Sequence, residues 1–185
     1  MKRIPIWIDC DPGVDDAAAL VLADRLPELE LLGISTVAGN APLPLTTENA
    51  LKICDLMGRT YPVHPGADKP LLRAYEYGES FHGADGLGGA VLPAPRRAAE
   101  TLPAWDAIYE AAKNSVGKME LITLGPLTNI AIALAKQSIG EGSDMSIDDA
   151  IAHENRLFAK CFATADQKEG MAAFLDKRKA DFRNQ

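Results

Sequence analysis

The segment Ile4–Asp16, I-P-I-W-I-D-C-D-P-G-V-D-D, constrains the fold of this chain more than any other. Ile4 to Ile8 form an apolar run, and four carboxylates follow at once: Asp9, Asp11, Asp15 and Asp16. A short apolar run that ends in acids predicts a buried strand. Ala and Leu at helical spacing from Ala17 to Leu26 predict a helix directly after it. The acids therefore stand at the carboxyl end of a strand, where α/β sheets bind ligands. Pro12-Gly13 turns the chain tightly between them, so that Asp11 can face Asp15 and Asp16 in the first helical turn.

A helix dipole supplies about half a positive charge, too little to balance such a cluster. A bound cation balances it. Carboxylate and carbonyl oxygens without thiolate or imidazole suit a hard ion, Ca²⁺ or Mg²⁺. A solvated acidic turn with ordinary helix caps is the alternative, and the flanking strand and helix favour the ion site.

The alternation continues along the chain. Leu29 to Val37 predicts a second strand, Thr46 to Met57 a second helix stopped by Gly58, and Tyr61 to His64 a short third strand. Gly66 to Pro103 is dense in Gly and Pro and holds no period, as functional loops often do. Ala104 to Val116 predicts a helix, Met119 to Leu124 a strand, and Gly125-Pro126 opens a helix to about Gln137, with Pro126 at a first helical position. This order predicts an α/β fold: an open, mostly parallel, Rossmann-like sheet with flanking helices over residues 1–137.

The character changes at 138–185, which predicts a helical C-terminal tail. Ile139 to Ser143 reads as a flexible connector, and Ser146 with Asp149 as a capping box with Asp in place of Glu. Ile147, Ala150, Ile151, Leu157, Phe158, Cys161 and Phe162 recur on one helical face, and a second helix is expected from Asp166 or Gln167 to Phe182.

Composition narrows the partners. A formal net charge of −7 argues against a nucleic-acid backbone, which calls for a basic patch. Five apolar residues before Asp9 are too few for a secretory leader or a membrane span. Cys10, Cys54 and Cys161 show no metal-type spacing and read as reduced thiols of a cytoplasmic protein. Cys10 is expected to pack in the core, its side chain opposite those of Asp9 and Asp11.

The spacing D-x-D-P-G-x-D-D resembles the signature of the inosine/uridine-preferring nucleoside hydrolases. Further matches follow in order: Ser35-Thr36-Val37-Ala38-Gly39-Asn40, the turn Gly66-Ala67-Asp68-Lys69-Pro70-Leu71, the loop Phe81-His82-Gly83-Ala84-Asp85-Gly86-Leu87-Gly88, and Leu124-Gly125-Pro126-Leu127-Thr128-Asn129. The resemblance covers residues 4 to about 135. It implies that Asp11 binds Ca²⁺ and takes a proton from the attacking water. Asp16 and the backbone carbonyl of Leu124 are implied as further Ca²⁺ ligands. Asp15 is implied to hold a ribose hydroxyl, with Asn40 beside it, and His82 to serve near the base or guard the pocket. Asn129 reads equally as a ligand contact or as a group that satisfies backbone at a helix start.

The family's later Asn/Glu-rich substrate segment and its late His-Asp pair are not found in this sequence. Instead Ala135 to Ile139 and Phe158 to Arg178 resemble the C-terminus of enoyl-CoA hydratases. The expected function is hydrolysis of the N-glycosidic bond of a ribonucleoside, with impaired turnover. The alternatives are a non-catalytic Ca²⁺- and ribose-binding remnant, or a helical module that self-associates as a homo-oligomer or contacts CoA.

Overall fold

The computed structural model describes residues 3–72, 77–115, 118–161 and 178. Two compact units divide the chain, Met1–Ala133 and Leu134–Gln185. In the first, β1 (Ile4–Cys10), β2 (Leu29–Thr36), β3 (Val63–Pro65) and β4 (Glu120–Thr123) form one parallel sheet in the order β3-β2-β1-β4. Helices α1 (Val14–Arg25) and α2 (Leu43–Met57) follow β1 and β2. The one-turn helix α3 (Glu79–His82) lies within the Gly- and Pro-rich stretch, and α4 (Ala104–Asn114) precedes β4. Helix α5 (Thr128–Gly142) follows β4 and crosses from the first unit into the second.

Strand alternation divides the core. Ile6, Ile8 and Cys10 of β1 pack with Leu20 of α1 and with Ile53 and Cys54 of α2. Trp7 points to the other face and packs with Ala107 and Ile108 of α4. Helices thus cover both faces, as parallel sheets require. Fully burying each large apolar side chain contributes roughly 1.5–3 kcal/mol, which holds the layers together. Cys10 is fully buried, on the face away from Trp7, as its position in the strand predicts.

All four strands end at the same edge, and the strand order reverses between β1 and β4. Loops on either side of such a point diverge and leave a crevice. The acidic turn lies in it.

The expected strands and helices are present, with shifted ends. β1 runs on through Asp9 and Cys10, which pair with Ser35 and Thr36. Helix α1 starts at Val14 because Asp16 reaches back and accepts the Gly13 N–H at 3.1 Å, half of a capping box. Gly58 closes α2 in the left-handed region at φ 69°, where glycine carries no Cβ penalty. Helix α5 begins at Thr128, not at Pro126, and continues through Ile139–Gly142, where a flexible connector was expected. Gln137 donates to Glu141 one turn on at 2.9 Å, and Glu141 also meets His153 at 2.7 Å. Such pairs offset the weak helix propensity of Gly140 and Gly142.

In the second unit, α6 (Ile147–Cys161) opens as predicted: the Asp149 N–H donates to Ser146 Oγ at 3.2 Å, and that hydroxyl donates to Asp149 Oδ2 at 2.7 Å. The expected apolar stripe is only partly covered. Leu157 is buried, whereas Ile147 and Ile151 are exposed. The predicted helix over 166–182, and most of the hydratase-like run, lie outside the described residues.

Candidate active site

Asp9 is the fully buried anchor of the sheet edge. Trp7 Nε1–H donates to Ser35 Oγ at 3.0 Å, and that hydroxyl donates to Asp9 Oδ1. Asn129 Nδ2 donates to the same oxygen at 2.8 Å and to the Thr36 carbonyl at 3.0 Å. Asn129 Oδ1 accepts the Ala67 N–H at 2.9 Å. Asn129 therefore satisfies backbone groups of other segments, at the end of β2 and just after β3, rather than those of its own helix start. Burial pushes the Asp9 carboxyl up to about 6, and the Asn129 and Ser35 hydrogen bonds hold it back from rising further.

Asp11 and Asp16 are both buried. Asn40 knits them together. Its backbone N–H donates to Asp11 Oδ2 at 2.7 Å; its side-chain amide donates to the Asp11 carbonyl at 3.0 Å and to Asp16 Oδ2 at 3.2 Å. The backbone closes tightly on Asp11. A Cβ on Gly39 would lie 1.6 Å from Asp11 Oδ2, and one on Gly125 would lie 2.7 Å from Oδ1. Burial pushes Asp11 up to about 7, and the nearby Asp16 charge adds to the rise. Burial likewise raises Asp16, opposed by the Gly13 N–H hydrogen bond.

The remaining predicted residues border this pair. Leu124 lies beside the end of β1, its N–H donating to the Asp9 carbonyl at 2.8 Å. Asp15 is exposed, and its Oδ1 lies 3.8 Å from His82 Nδ1. His82 Nδ1 also lies 3.4 Å from the Val14 N–H. A neutral ring accepts from Val14 there; a protonated ring turns that nitrogen into a donor toward Asp15. Asp11, Asp16 and Asn40 are thus joined directly, with Asp15, His82 and Leu124 around them.

A cation suits the buried pair. Asp16 Oδ1 is buried without a hydrogen-bond partner among the described residues. Two carboxylates held out of water repel each other, and a hard cation relieves both penalties. Among the described residues, no group of three or more His, Cys, Asp or Glu side chains is gathered to hold a metal. A hard ion such as Ca²⁺ takes about 6–8 oxygens, so carbonyl or water oxygens would have to complete the shell.

Residues 6–139 match the model of the inosine-uridine preferring nucleoside hydrolases. The chain belongs to that family. A pyrimidine-specific ribonucleoside hydrolase from Escherichia coli is 39% identical over 137 residues, which are 74% of this chain and 44% of that protein. An uncharacterized protein of Schizosaccharomyces pombe is 51% identical over 133 residues, 71% of this chain and 43% of the relative. The solved purine-preferring ribonucleoside hydrolase from Gardnerella vaginalis superposes with a TM-score of 0.70 at 34% identity, covering 72% of this chain and 44% of the other. The matched part of the chain thus spans less than half the length of each of these relatives. Among the described residues, no helix is long and apolar enough to cross a membrane.

Sequence reading singled out the acids of the turn together with Asn40 and Asn129, but not the bond from Asn129 to Asp9 nor the parts of Ser35 and Asn49. Ser35 and Asn129, which fix Asp9, and Asn49 of α2, which donates to the Pro12 carbonyl, lie far from the turn in sequence. Ser35 and Asn129 do fall inside quoted motifs, and Asn49 is a polar residue amid an apolar helix pattern. Those are the signals that could have found them.

Proposed function

We propose that the acidic turn is the ion- and ribose-binding centre of a ribonucleoside hydrolase, and that its turnover in this chain alone is low. The observation that carries this is the buried Asp11–Asn40–Asp16 arrangement at the strand-order reversal. Asp11, Asp16 and the Leu124 carbonyl would hold Ca²⁺. When bound, such an ion lowers the pKa of a water and counters the charge of the two carboxylates.

Asp11 accepts the proton of the attacking water as the water oxygen bonds to the ribose anomeric carbon. The bond from that carbon to the base nitrogen breaks, and its electron pair leaves with the base. Positive charge develops on the ribosyl ring, and the carboxylates around it stabilise that charge. Asp15 and Asn40 hold ribose hydroxyls, and His82 stands on the Asp15 side, toward the base. Low turnover follows from the exposure of Asp15 and from a proposed ion site with only two carboxylates, Asp11 and Asp16, among the described residues; loose positioning loses orders of magnitude. The named relatives differ in base, pyrimidine-specific in one and purine-preferring in another, so the proposal is confined to the ribose end.

Ribose release from inosine and from uridine, with and without Ca²⁺, tests the mechanism. The expected result is slow, Ca²⁺-dependent release that Asp11→Asn removes, because an amide cannot take the water's proton. Release that persists in Asp11→Asn rejects the assigned base. A second reading, binding of Ca²⁺ and ribose without turnover, is favoured by the same exposure of Asp15. It predicts a calorimetric signal with ribose in a chain that releases none.

A further inference from the structure

Asn49 lies on α2, outside the acidic turn, and is almost fully buried. Its side-chain amide donates to two carbonyls from different segments: Pro12 of the turn at 3.3 Å and Asp85 of the glycine-rich loop at 2.8 Å. The loop is otherwise closed mostly on itself. The Asp85 carboxylate accepts the Leu87 and Gly89 N–H groups at 3.1 Å each, and the Gly88 N–H donates to the His82 carbonyl at 2.7 Å. Gly86 adopts φ +78°, and a Cβ there would lie 3.0 Å from Asn49 Nδ2 and 3.4 Å from the Pro12 carbonyl. The loop backbone therefore presses directly against the amide. His82 follows from this placement: it lies at the head of the loop, and its ring rests on Val14 and Asp15.

We propose that Asn49 is a positioning residue, which clamps the glycine-rich loop to the acidic turn and so sets His82 beside Asp15. The ligand half of this proposal rests on the ribose-binding reading of the turn. An NH₂ group is what the clamp needs, since it has two donors for two carbonyl acceptors. Leu has nearly the same size and no donor, so Asn49→Leu removes the clamp without opening a large cavity.

Amide hydrogen exchange on the full chain tests the clamp. In Asn49→Leu, the Leu87 and Gly89 amides should exchange about tenfold faster, as expected for losing hydrogen bonds of ordinary net strength. The Ile34 and Trp7 amides of the sheet should be unchanged. Equal acceleration at all four means general destabilisation and overturns the clamp, as does no acceleration in the loop. Calorimetry with inosine in the presence of Ca²⁺ tests the consequence. Asn49→Leu should weaken inosine about tenfold and by clearly more than it weakens Ca²⁺, because Asp11 and Asp16 keep their own bonds to Asn40 and Gly13. A faster loop with unaltered inosine affinity overturns the positioning role. No inosine binding by the wild-type chain overturns the ligand half together with the ribose-binding reading, while the exchange result still decides the clamp.

Discussion

Asn129 at the start of α5 donates its side-chain amide to Asp9 at the end of β1, at 2.8 Å across 120 positions of sequence. The bond fastens β4 and its following helix to the strand that carries the acids. Asn129 also serves the Thr36 carbonyl and the Ala67 N–H, so one side chain ties three segments at the sheet edge. Asn129→Ala should strip the Thr36 carbonyl and the Ala67 N–H of this partner, while Asp9 Oδ1 keeps the Ser35 hydroxyl. At about 1–3 kcal/mol for each unsatisfied group, less relaxation, we expect a loss of about 2–4 kcal/mol in urea unfolding with an unchanged slope. A loss under about 0.5 kcal/mol would show that water replaces the amide at no cost.

Stability of the ion-free chain should depend on pH in an unusual direction. The carboxyls of Asp9 and Asp11 stand near 6 and 7 when folded, against an ordinary value of 3.8. Between about pH 4 and 7 the folded chain then binds more protons than the unfolded one, so stability falls as pH rises through that window. In a chelator the melting temperature should drop by several degrees from pH 5 to pH 7.5. Saturating Ca²⁺ should reduce that drop, because the ion favours the charged carboxylates. A melting temperature that rises over this range in chelator would show that these acids titrate normally.

The close approach of Gly39 to Asp11 makes a second, steric prediction. The Cβ of Gly39→Ala would fall 1.6 Å from Asp11 Oδ2, so either the turn or the Asp11 side chain must move. Overpacking of this kind costs about 1–3 kcal/mol of stability, and Ca²⁺ affinity should fall with it. Gly58→Ala is the contrast. It meets no atom within 4 Å but sits at φ +69°, so it should lower stability and leave Ca²⁺ affinity alone. Equal Ca²⁺ affinities in wild type and Gly39→Ala would place the ion away from Asp11.

Much of the fold was legible because its signals are local. Ile4 to Ile8 reads as a strand from its own residues, and Gly58 marks the end of α2 without reference to any other segment. The acids of the turn were legible for the same reason. How Asp9 and the turn backbone are held was not, because Asn129–Asp9 and Asn49–Pro12 are contacts between positions far apart in sequence. The exposure of Asp15 beside the burial of Asp16 depends on where neighbouring loops fall, which adjacent positions cannot show. The helix through Gly140 escaped because two glycines outweigh local propensity on paper, while Glu141 gains partners from Gln137 and His153.

The most direct test is a calorimetric Ca²⁺ titration of the wild-type chain and of Asp16→Ala. Two buried carboxylates with carbonyl and water oxygens should bind weakly, with Kd on the order of 10⁻⁴–10⁻³ M. Asp16→Ala, which removes the buried Oδ1 that no described group partners, should show no binding. Submicromolar affinity in the wild type, or binding that Asp16→Ala leaves unchanged, would contradict an ion held by Asp11 and Asp16.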